Sequence, residues 1–311
     1  VVNEQGLIGL FMPHTLVVFS CDQNYFLLAK GLVLSLLQCE LDCEHIGLAF
    51  LDAGCDRTAL DWLKARGVEV RALDASALGA LEPLAQGYLR SLVFRPLLPK
   101  LFPGVEAFVW LDSDTWVQQP QSVAYLADLA RSGGDRIFIC PEWHYGYSDL
   151  NDTFVENQLK NLAFYHRTIY GEEMVREMYG RPVLNCGVFA MAAKCPLWDM
   201  WWNELVELYQ RDYGAESERV RHMAEQIALN VLARRNQCAV LVDPLFNYLC
   251  MWGMPFRDEQ GMVRVALPPG NAIGVVHLSL WKVWRKAYFE KGLLYQRGEY
   301  LSAEEQETLL K

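Results

Sequence analysis

The sequence contains no apolar run of the roughly 18 to 20 residues that a membrane-spanning helix requires, so no spanning segment is expected. Its first ten positions lack the charged start and small-residue cleavage site of a secretory signal peptide. Cationic residues are in deficit: 28 Lys and Arg against 38 Asp and Glu leave a formal charge of −10 over 311 residues. A general nucleic-acid binder needs a basic footprint for phosphate contacts, so the balance argues against that class. The nine cysteines form no C-x-x-C pair and are odd in number, which indicates neither a disulfide framework nor a structural zinc site. Buried, inert thiols in a reducing, cytoplasmic compartment are the expectation. Neither G-x-G-x-x-G nor G-x-x-x-x-G-K-[ST] occurs, so glycine-rich cradling of phosphates is not expected. Repeats, low-complexity tracts and Pro/Gly/Ser-rich linkers are missing too, which makes a single domain the default.

What is present is an alternation of strand-like and helix-like segments. Residues 16–20 form a short apolar run, 28–37 carry helical spacing, and 46–51 repeat the strand signal. Residues 58–66 read as a helix ended by Gly67, 68–73 as a strand, 88–101 as a helix and 107–111 as a wholly apolar strand. A helix after Pro120 and a strand at 137–140 follow. This order predicts an α/β fold with a mostly parallel sheet covered by helices on both faces. Residues 141–182, rich in aromatic, Asn and charged residues with no clean strand, read as an inserted excursion over the sheet. Beyond it, 183–191 read as a strand, 196–210 and 224–233 as helices, and 239–242 and 273–276 as late strands.

The sharpest local feature is Trp110-Leu111-Asp112-Ser113-Asp114-Thr115, where an apolar strand stops at two carboxylates spaced i, i+2. In extended chain that spacing turns both side chains to one side. Ligands of open parallel sheets bind beyond the carboxyl ends of the strands, and two carboxylates there make a hard oxygen site for manganese or magnesium. D-x-D alone is a weak pattern; its position at a strand end is what distinguishes it from a solvated turn. His277 ends the apolar segment Ile273-Gly274-Val275-Val276 and is expected at the same sheet edge, able to complete the site through a neutral imidazole. Lys282, Arg285 and Lys286 follow in the aromatic run 281–288, a local positive spot that also reads as a solvated helix face. At the end of the first strand, Ser20-Cys21-Asp22-Gln23-Asn24-Tyr25 offers polar groups for a base or ribose, or ordinary helix caps. Trp198, Trp201 and Trp202, at i, i+3, i+4, read as a core stripe.

Together these residues resemble family 8 glycosyltransferases of the GT-A fold, a group with a single Rossmann-like domain. The match runs from about residue 16 to 284 through four motifs in order. Val17-Val18-Phe19-Ser20-Cys21-Asp22-Gln23-Asn24-Tyr25 is similar to the family's opening strand and nucleotide turn, and Leu111-Asp112-Ser113-Asp114-Thr115 to its metal motif. Leu184-Asn185-Cys186-Gly187-Val188-Phe189 resembles its F-N-[AS]-G-V segment, and Glu225-Gln226-Ile227-Ala228-Leu229-Asn230 its D-Q-x-x-L-N helix start.

The resemblance implies metal-dependent, configuration-retaining transfer of a sugar from a UDP-sugar to a hydroxyl on a glycan, glycolipid or protein. It implies uridine contacts from Ser20, Asp22 and Asn24, stacking on Tyr25, and a donor contact from Arg95. Asp112, Asp114 and His277 become ligands of Mn2+ or Mg2+, with Ser113 between the carboxylates. Asn185, Glu225 and Gln226 become the catalytic residues facing the donor sugar, Cys186 and Gly187 further substrate contacts, and Lys282 approaches the diphosphate. The chain then divides into a nucleotide-binding half at 1–140, an insertion at 141–182, a donor and acceptor half at 183–290 and a tail at 291–311. His144, His166 and the tyrosines at 145, 147, 165 and 170 become acceptor-contact candidates because the insertion holds them, and 281–291 become a candidate peripheral membrane contact.

The chain departs from the family in two places. The closing motif H-x-x-G-x-x-K-P-W appears here as His277-Leu278-Ser279-Leu280-Trp281-Lys282-Val283-Trp284, without the glycine and with the lysine one place early. Glu225 stands where Asp is usual, which lengthens the reach by a methylene and bears on sugar selectivity. Two other functions fit parts of the pattern. A fold relative without catalysis would bind the sugar nucleotide and release nothing. A metal-dependent phosphatase would use Asp112 and Asp114 as nucleophile and acid, but Trp116 occupies a place where its pattern has Thr or Val.

Overall fold

A computed structural model describes residues 14–38, 45–85, 87–147 and 152–279. Strand β1 (Thr15–Cys21) is buried along its whole length. Leu16 and Val18 join one apolar cluster while Val17, Phe19 and Cys21 join another, the period-two signature of a strand covered on both faces. Helix α1 (Phe26–Gln38) lays Phe26, Ala29, Leu32, Val33 and Leu36 on the second of these layers. The next unit is β2 (Ile46–Asp52), α2 (Arg57–Lys64) and β3 (Glu69–Ala72). The helix starts on Asp56, whose carboxylate accepts from the Ala59 N–H, and Gly67 turns the chain at φ 75°.

The helix expected over 88–101 is instead α3 (Leu89–Val93), a 3-10 turn (Arg95–Leu97) and α4 (Leu98–Leu101). Pro96 and Pro99 have no N–H to donate, so the helical ladder fails at this point, and Arg95 opens the break with its side chain buried. Strand β4 (Ala107–Leu111) follows, then the short β5 (Thr115–Val117), α5 (Pro120–Ser132) and β6 (Ile137–Pro141). The excursion after β6 is helical, with α6 (Asp152–Tyr170) and α7 (Glu172–Met178) joined at Gly171, φ 88°. After it come β7 (Leu184–Ala192), α8 (Leu197–Gln210), α9 (Ser217–Arg235) and β8 (Ala239–Leu241). Trp198 and Trp201 of α8 are buried in the core, as the stripe predicts. The described chain closes with β9 (Tyr248–Leu249), β10 (Phe256–Arg257), β11 (Val263–Arg264) and β12 (Val275–His277).

Among the described residues the main sheet has seven strands in the order β3-β2-β1-β4-β7-β6-β8. Strand β7 runs antiparallel to both β4 and β6, and the remaining neighbours are parallel. Its core assignment changes parity along its length: Leu184 and Cys186 share a layer with Phe189 and Met191, not with Val188 and Ala190. An irregularity in the β6–β7 register between Ile139 and Pro141 marks this bulge, and Gly187 sits in it. A second placement also differs from the sequence expectation. His277 does not end a strand of the main sheet; β12 belongs to a separate sheet, β5-β12-β9, in which His277 pairs antiparallel with Thr115. Strands of two or three residues leave no periodicity to read, so the second sheet was not visible in the sequence. Among the described residues no helix is long and apolar enough to cross a membrane.

Candidate active site

Asp112 follows β4 directly, and its N–H donates to Gly187 O of the neighbouring antiparallel strand at 2.7 Å. The two carboxylates are brought together by a turn rather than by extended chain: the Thr115 N–H and hydroxyl both donate to Asp112 O, at 3.0 and 2.7 Å. The Asp114 carbonyl then accepts from the Leu278 N–H, which locks the turn to the end of β12. His277 Nε2 consequently stands 3.3 Å from Asp114 Oδ1 and 3.9 Å from Asp112 Oδ2. One ligand atom from each of the three side chains falls within 4.8 Å of the others.

The tautomer of His277 follows from its other nitrogen. Asn247 donates through Nδ2 to Asn185 Oδ1 at 2.9 Å, so its Oδ1 is the atom 2.7 Å from His277 Nδ1 and accepts that N–H. The Nε2 lone pair is left facing two carboxylates, an arrangement that repels unless a proton or a cation stands between them. Burial opposes the charged imidazole, but Asp114 and Asp112 outweigh it and raise the pKa above its usual value. An imidazole fixed through a side-chain carbonyl beside two carboxylates is a donor set that could hold a metal ion. Gly187 completes the fit: a Cβ there would lie 2.3 Å from His277 Cε1 and 2.9 Å from Asp112 Oδ2.

Behind the carboxylates lies a buried charge cluster. Arg95 Nη2 donates to Asp112 Oδ1 at 2.5 Å, and Nη1 to Glu225 Oε1 at 3.0 Å and Cys186 O at 3.3 Å. The guanidinium also lies 4.8 Å from the Trp110 ring centre, and the Trp110 indole donates to the same Asp112 oxygen at 2.8 Å. With Oδ1 engaged twice, Asp112 leaves Oδ2 on the side of His277. Arg95, expected as a donor contact, directs both terminal nitrogens into the protein and acts on the site by holding Asp112 and Glu225. Burial pushes the Glu225 carboxyl up to about 7, against the opposing pull of Arg95.

The residues expected around the donor sugar do converge. Asn185 Nδ2 and Gln226 Nε2 both donate to Glu142 Oε1, at 2.8 and 3.3 Å, and Gln226 Oε1 accepts from the Cys186 N–H at 3.3 Å. Asn185 Oδ1 accepts from the Gly187 N–H at 2.9 Å, which fixes its amide across the bulge. Glu142 and Asn247 were missed by the sequence reading. Glu142 follows β6 at the mouth of the insertion, in a stretch with no motif, although its place at a strand end was a usable signal. Burial raises its pKa, against the hydrogen bonds from Asn185 and Gln226 that lower it.

The expected nucleotide turn lies beside this group. Ser113 donates to Ser20 O at 2.8 Å, tying the carboxylate turn to the end of β1. Ser20 donates to Leu51 O at 2.8 Å and its hydroxyl lies 2.9 Å from that of Ser91. Asp22 caps the following 3-10 turn by accepting from the Asn24 N–H at 3.0 Å, and Tyr25 is exposed. Within the insertion, Tyr145 is exposed, while His166 is buried and the Tyr147 hydroxyl is engaged inside the protein, accepting from the Leu249 N–H at 3.1 Å. Lys282, Arg285, Lys286 and the 281–291 membrane-contact candidate lie outside the described residues.

No family model matches this sequence, and no curated protein matches it. Solved structures do. LgtC, a galactosyltransferase solved in complex with donor and acceptor sugar analogs, is 14% identical, with 95% of this chain and 96% of that chain covered at a TM-score of 0.52. An active-site mutant of LgtC superposes at 0.54 with 16% identity over 86% of this chain and 88% of that one. The bifunctional glycosyltransferase WbbM is 14% identical over 88% of this chain, which spans 47% of WbbM, at 0.53. Mouse xyloside xylosyltransferase 1 is 15% identical over 86% of this chain and 97% of that chain, at 0.50. At these identities the likeness is one of fold: the chain has the GT-A fold of these glycosyltransferases, as the family 8 resemblance implies.

Proposed function

We propose that the protein is a metal-dependent glycosyltransferase that moves a sugar from a nucleotide diphosphate, UDP being the donor nucleotide, to an acceptor hydroxyl on a glycan, glycolipid or protein. The observation that carries this reading is the convergence of Asp112 Oδ2, Asp114 and His277 Nε2 on one point, with the histidine tautomer set by Asn247, in a GT-A fold. Asp112, Asp114 and His277 would hold manganese or magnesium, which when bound supplies Lewis-acid neutralisation of the charge that grows on the departing diphosphate.

The chain's own residues divide the remaining work. Asp22 and Asn24 contact the uridine and Tyr25 stacks on its base. Lys282, outside the described residues, would approach the diphosphate as the resemblance implies. Asn185 and Gln226, held rigid by Glu142, Gly187 and Cys186, orient the donor sugar and stabilise positive charge developing at its anomeric carbon. Glu142 offers its remaining lone pairs to sugar hydroxyls. Transfer occurs on the face the diphosphate leaves: the acceptor oxygen bonds to the anomeric carbon, the bond to the phosphate oxygen breaks, and the acceptor proton passes to that oxygen. Configuration is retained.

Thermal unfolding with UDP, manganese and both together tests the site. A ligand at 100 times its dissociation constant adds about 2.7 kcal/mol to stability. The expected result is a shift that needs both ligands and vanishes in Asp114→Asn, and no shift with any nucleotide overturns the reading. Release of UDP from a panel of UDP-sugars then separates an enzyme from a binding protein that only holds the nucleotide.

A further inference from the structure

The described cysteines carry free thiols, and two of them meet where β1 and β2 end. Cys21 stands opposite Asp52 in that parallel pair. The chain then folds back: the Asp52 carboxylate accepts from the Gly54 and Cys55 N–H groups at 2.9 and 2.7 Å, and Gly54 takes φ 126°, open to glycine. This turn lays the Cys55 sulfur 3.6 Å from Cys21 O. Both side chains join the apolar layer that holds Phe19 and Phe26, Cys21 buried and Cys55 half-buried. The Cys21 thiol lies within hydrogen-bonding reach of both Cys55 and Ser113, and burial, then the neighbouring Cys55, push its pKa up.

The surroundings give this pair a lever on the site. Ser113 stands between Asp112 and Asp114 and donates to Ser20 O. Asp22, next to Cys21, caps the turn that carries Asn24 and Tyr25. Gln23 is tied twice to the loop of Cys55, by its N–H to Gly54 O at 3.2 Å and by its side-chain oxygen to the Asp56 N–H at 2.8 Å. The two sulfurs therefore adjoin the expected nucleotide turn and the serine between the expected metal ligands.

We propose that Cys21 and Cys55 are an oxidisable pair, joined into a disulfide by exchange with a small-molecule disulfide, and that the new bond weakens nucleotide binding. The bond itself needs no donor; its effect on affinity rests on the donor-site reading above. The Cys55 thiolate, the more accessible of the two, attacks one sulfur of glutathione disulfide and expels a glutathione thiolate. Cys21 loses its proton to solvent, attacks the Cys55 sulfur and expels the second glutathione. One S–S bond breaks and another forms, and the two electrons and two protons given up by the cysteines end on two glutathione thiols. Because the buried Cys21 parts reluctantly with its proton, the second step is the slow one. Closing the bond draws the sulfurs to about 2.05 Å, which takes Cys21 away from Ser113 and pulls the 21–25 turn toward 53–55.

The test incubates the reduced protein with glutathione disulfide, alkylates the remaining thiols and maps unreduced peptides by mass spectrometry. UDP affinity with manganese is read by calorimetry before oxidation, after it, and again after dithiothreitol. The expected results are a peptide linked through Cys21 and Cys55, a loss of UDP affinity of about tenfold, as when the support of a metal ligand is disturbed, and recovery on reduction. Cys55→Ser should form no link and keep its affinity under oxidant. Absence of the link, arrest at a Cys55–glutathione mixed disulfide, or Cys21 joined to a different cysteine overturns the pair. A linked protein whose UDP affinity stays within about twofold overturns its effect on the site, as does an equal loss in Cys55→Ser. Failure of the reduced protein to bind UDP sinks the donor-site reading instead, and the peptide map still decides whether the bond forms.

Discussion

Replacing Gly187 by alanine tests the site at its tightest point. The new methyl would stand 2.3 Å from His277 Cε1, 2.8 Å from Asn185 Oδ1 and 2.9 Å from Asp112 Oδ2. Carbon atoms rest about 3.5–4.0 Å apart, so the imidazole must retreat by more than about 1 Å. It has little freedom to do so. Nδ1 is tethered to Asn247, and β12 is paired with β5 on one side and β9 on the other. Overpacking a rigid site costs about 1–3 kcal/mol of stability, and displacing a ligand or its support costs about 10–100-fold in metal affinity. The second figure corresponds to about 1.4–2.7 kcal/mol of binding free energy. Calorimetric titration of manganese in the presence of UDP reads the affinity, and urea unfolding of the metal-free protein reads the stability. An alanine variant with metal affinity within about twofold of the parent would refute the close-approach argument. A stable variant with lost affinity would support it most directly.

Further outcomes follow from the same geometry. Arg95→Met leaves Asp112 and Glu225 without their cation and should cost about 3–5 kcal/mol in urea unfolding, with Arg95→Lys failing to restore it because one ammonium cannot serve both carboxylates. Asn247→Ala frees the His277 tautomer and should weaken manganese about 10–100-fold, read by the same titration, while leaving the buried His277 N–H unpaired costs the fold about 1–3 kcal/mol. Glu142, Glu225 and His277 all bind protons more tightly folded than unfolded. Their contribution to stability is therefore present at low pH and lost as pH rises through the folded values: for Glu225 from 4.5 to about 7, for His277 from 6.5 upward. The metal-free melting temperature should fall between about pH 5 and pH 8, and Glu225→Gln and saturating manganese should each flatten the fall. A melting temperature that rises over that interval would contradict the assigned shifts.

Much of this was legible in the sequence because the central strands announce themselves. Ala107–Leu111 is buried at every position, and a strand so apolar that ends on Asp-Ser-Asp can place those carboxylates only at its exit. The tryptophan stripe of α8 was readable for the same reason, since its spacing matches a helix period. The rest depends on contacts that leave no local trace. Glu142 has no motif around it, and its role appears only when β6 and β7 bring it against Asn185 and α9 supplies Gln226. Asn247 lies in a 3-10 turn and matters solely through His277 and Asn185. The helix read over 88–101 shows the opposite failure, a continuous apolar pattern overridden by two prolines whose missing N–H groups break it at Arg95.

The reversed direction of β7 has a consequence for how the molecule assembles. Because β7 runs against β4, the beginning of one strand meets the end of the other, and the pocket is stitched from parts far apart along the chain. Arg95 and Cys186 are 91 residues apart, and Arg95 and Glu225 are 130. Closing such loops costs entropy before any contact rewards it, so these links are expected to form after the local strand–helix units. Nucleotide and metal affinity would then report complete topology: a chain with every helix formed but β7 unpaired would look folded by secondary structure and bind nothing.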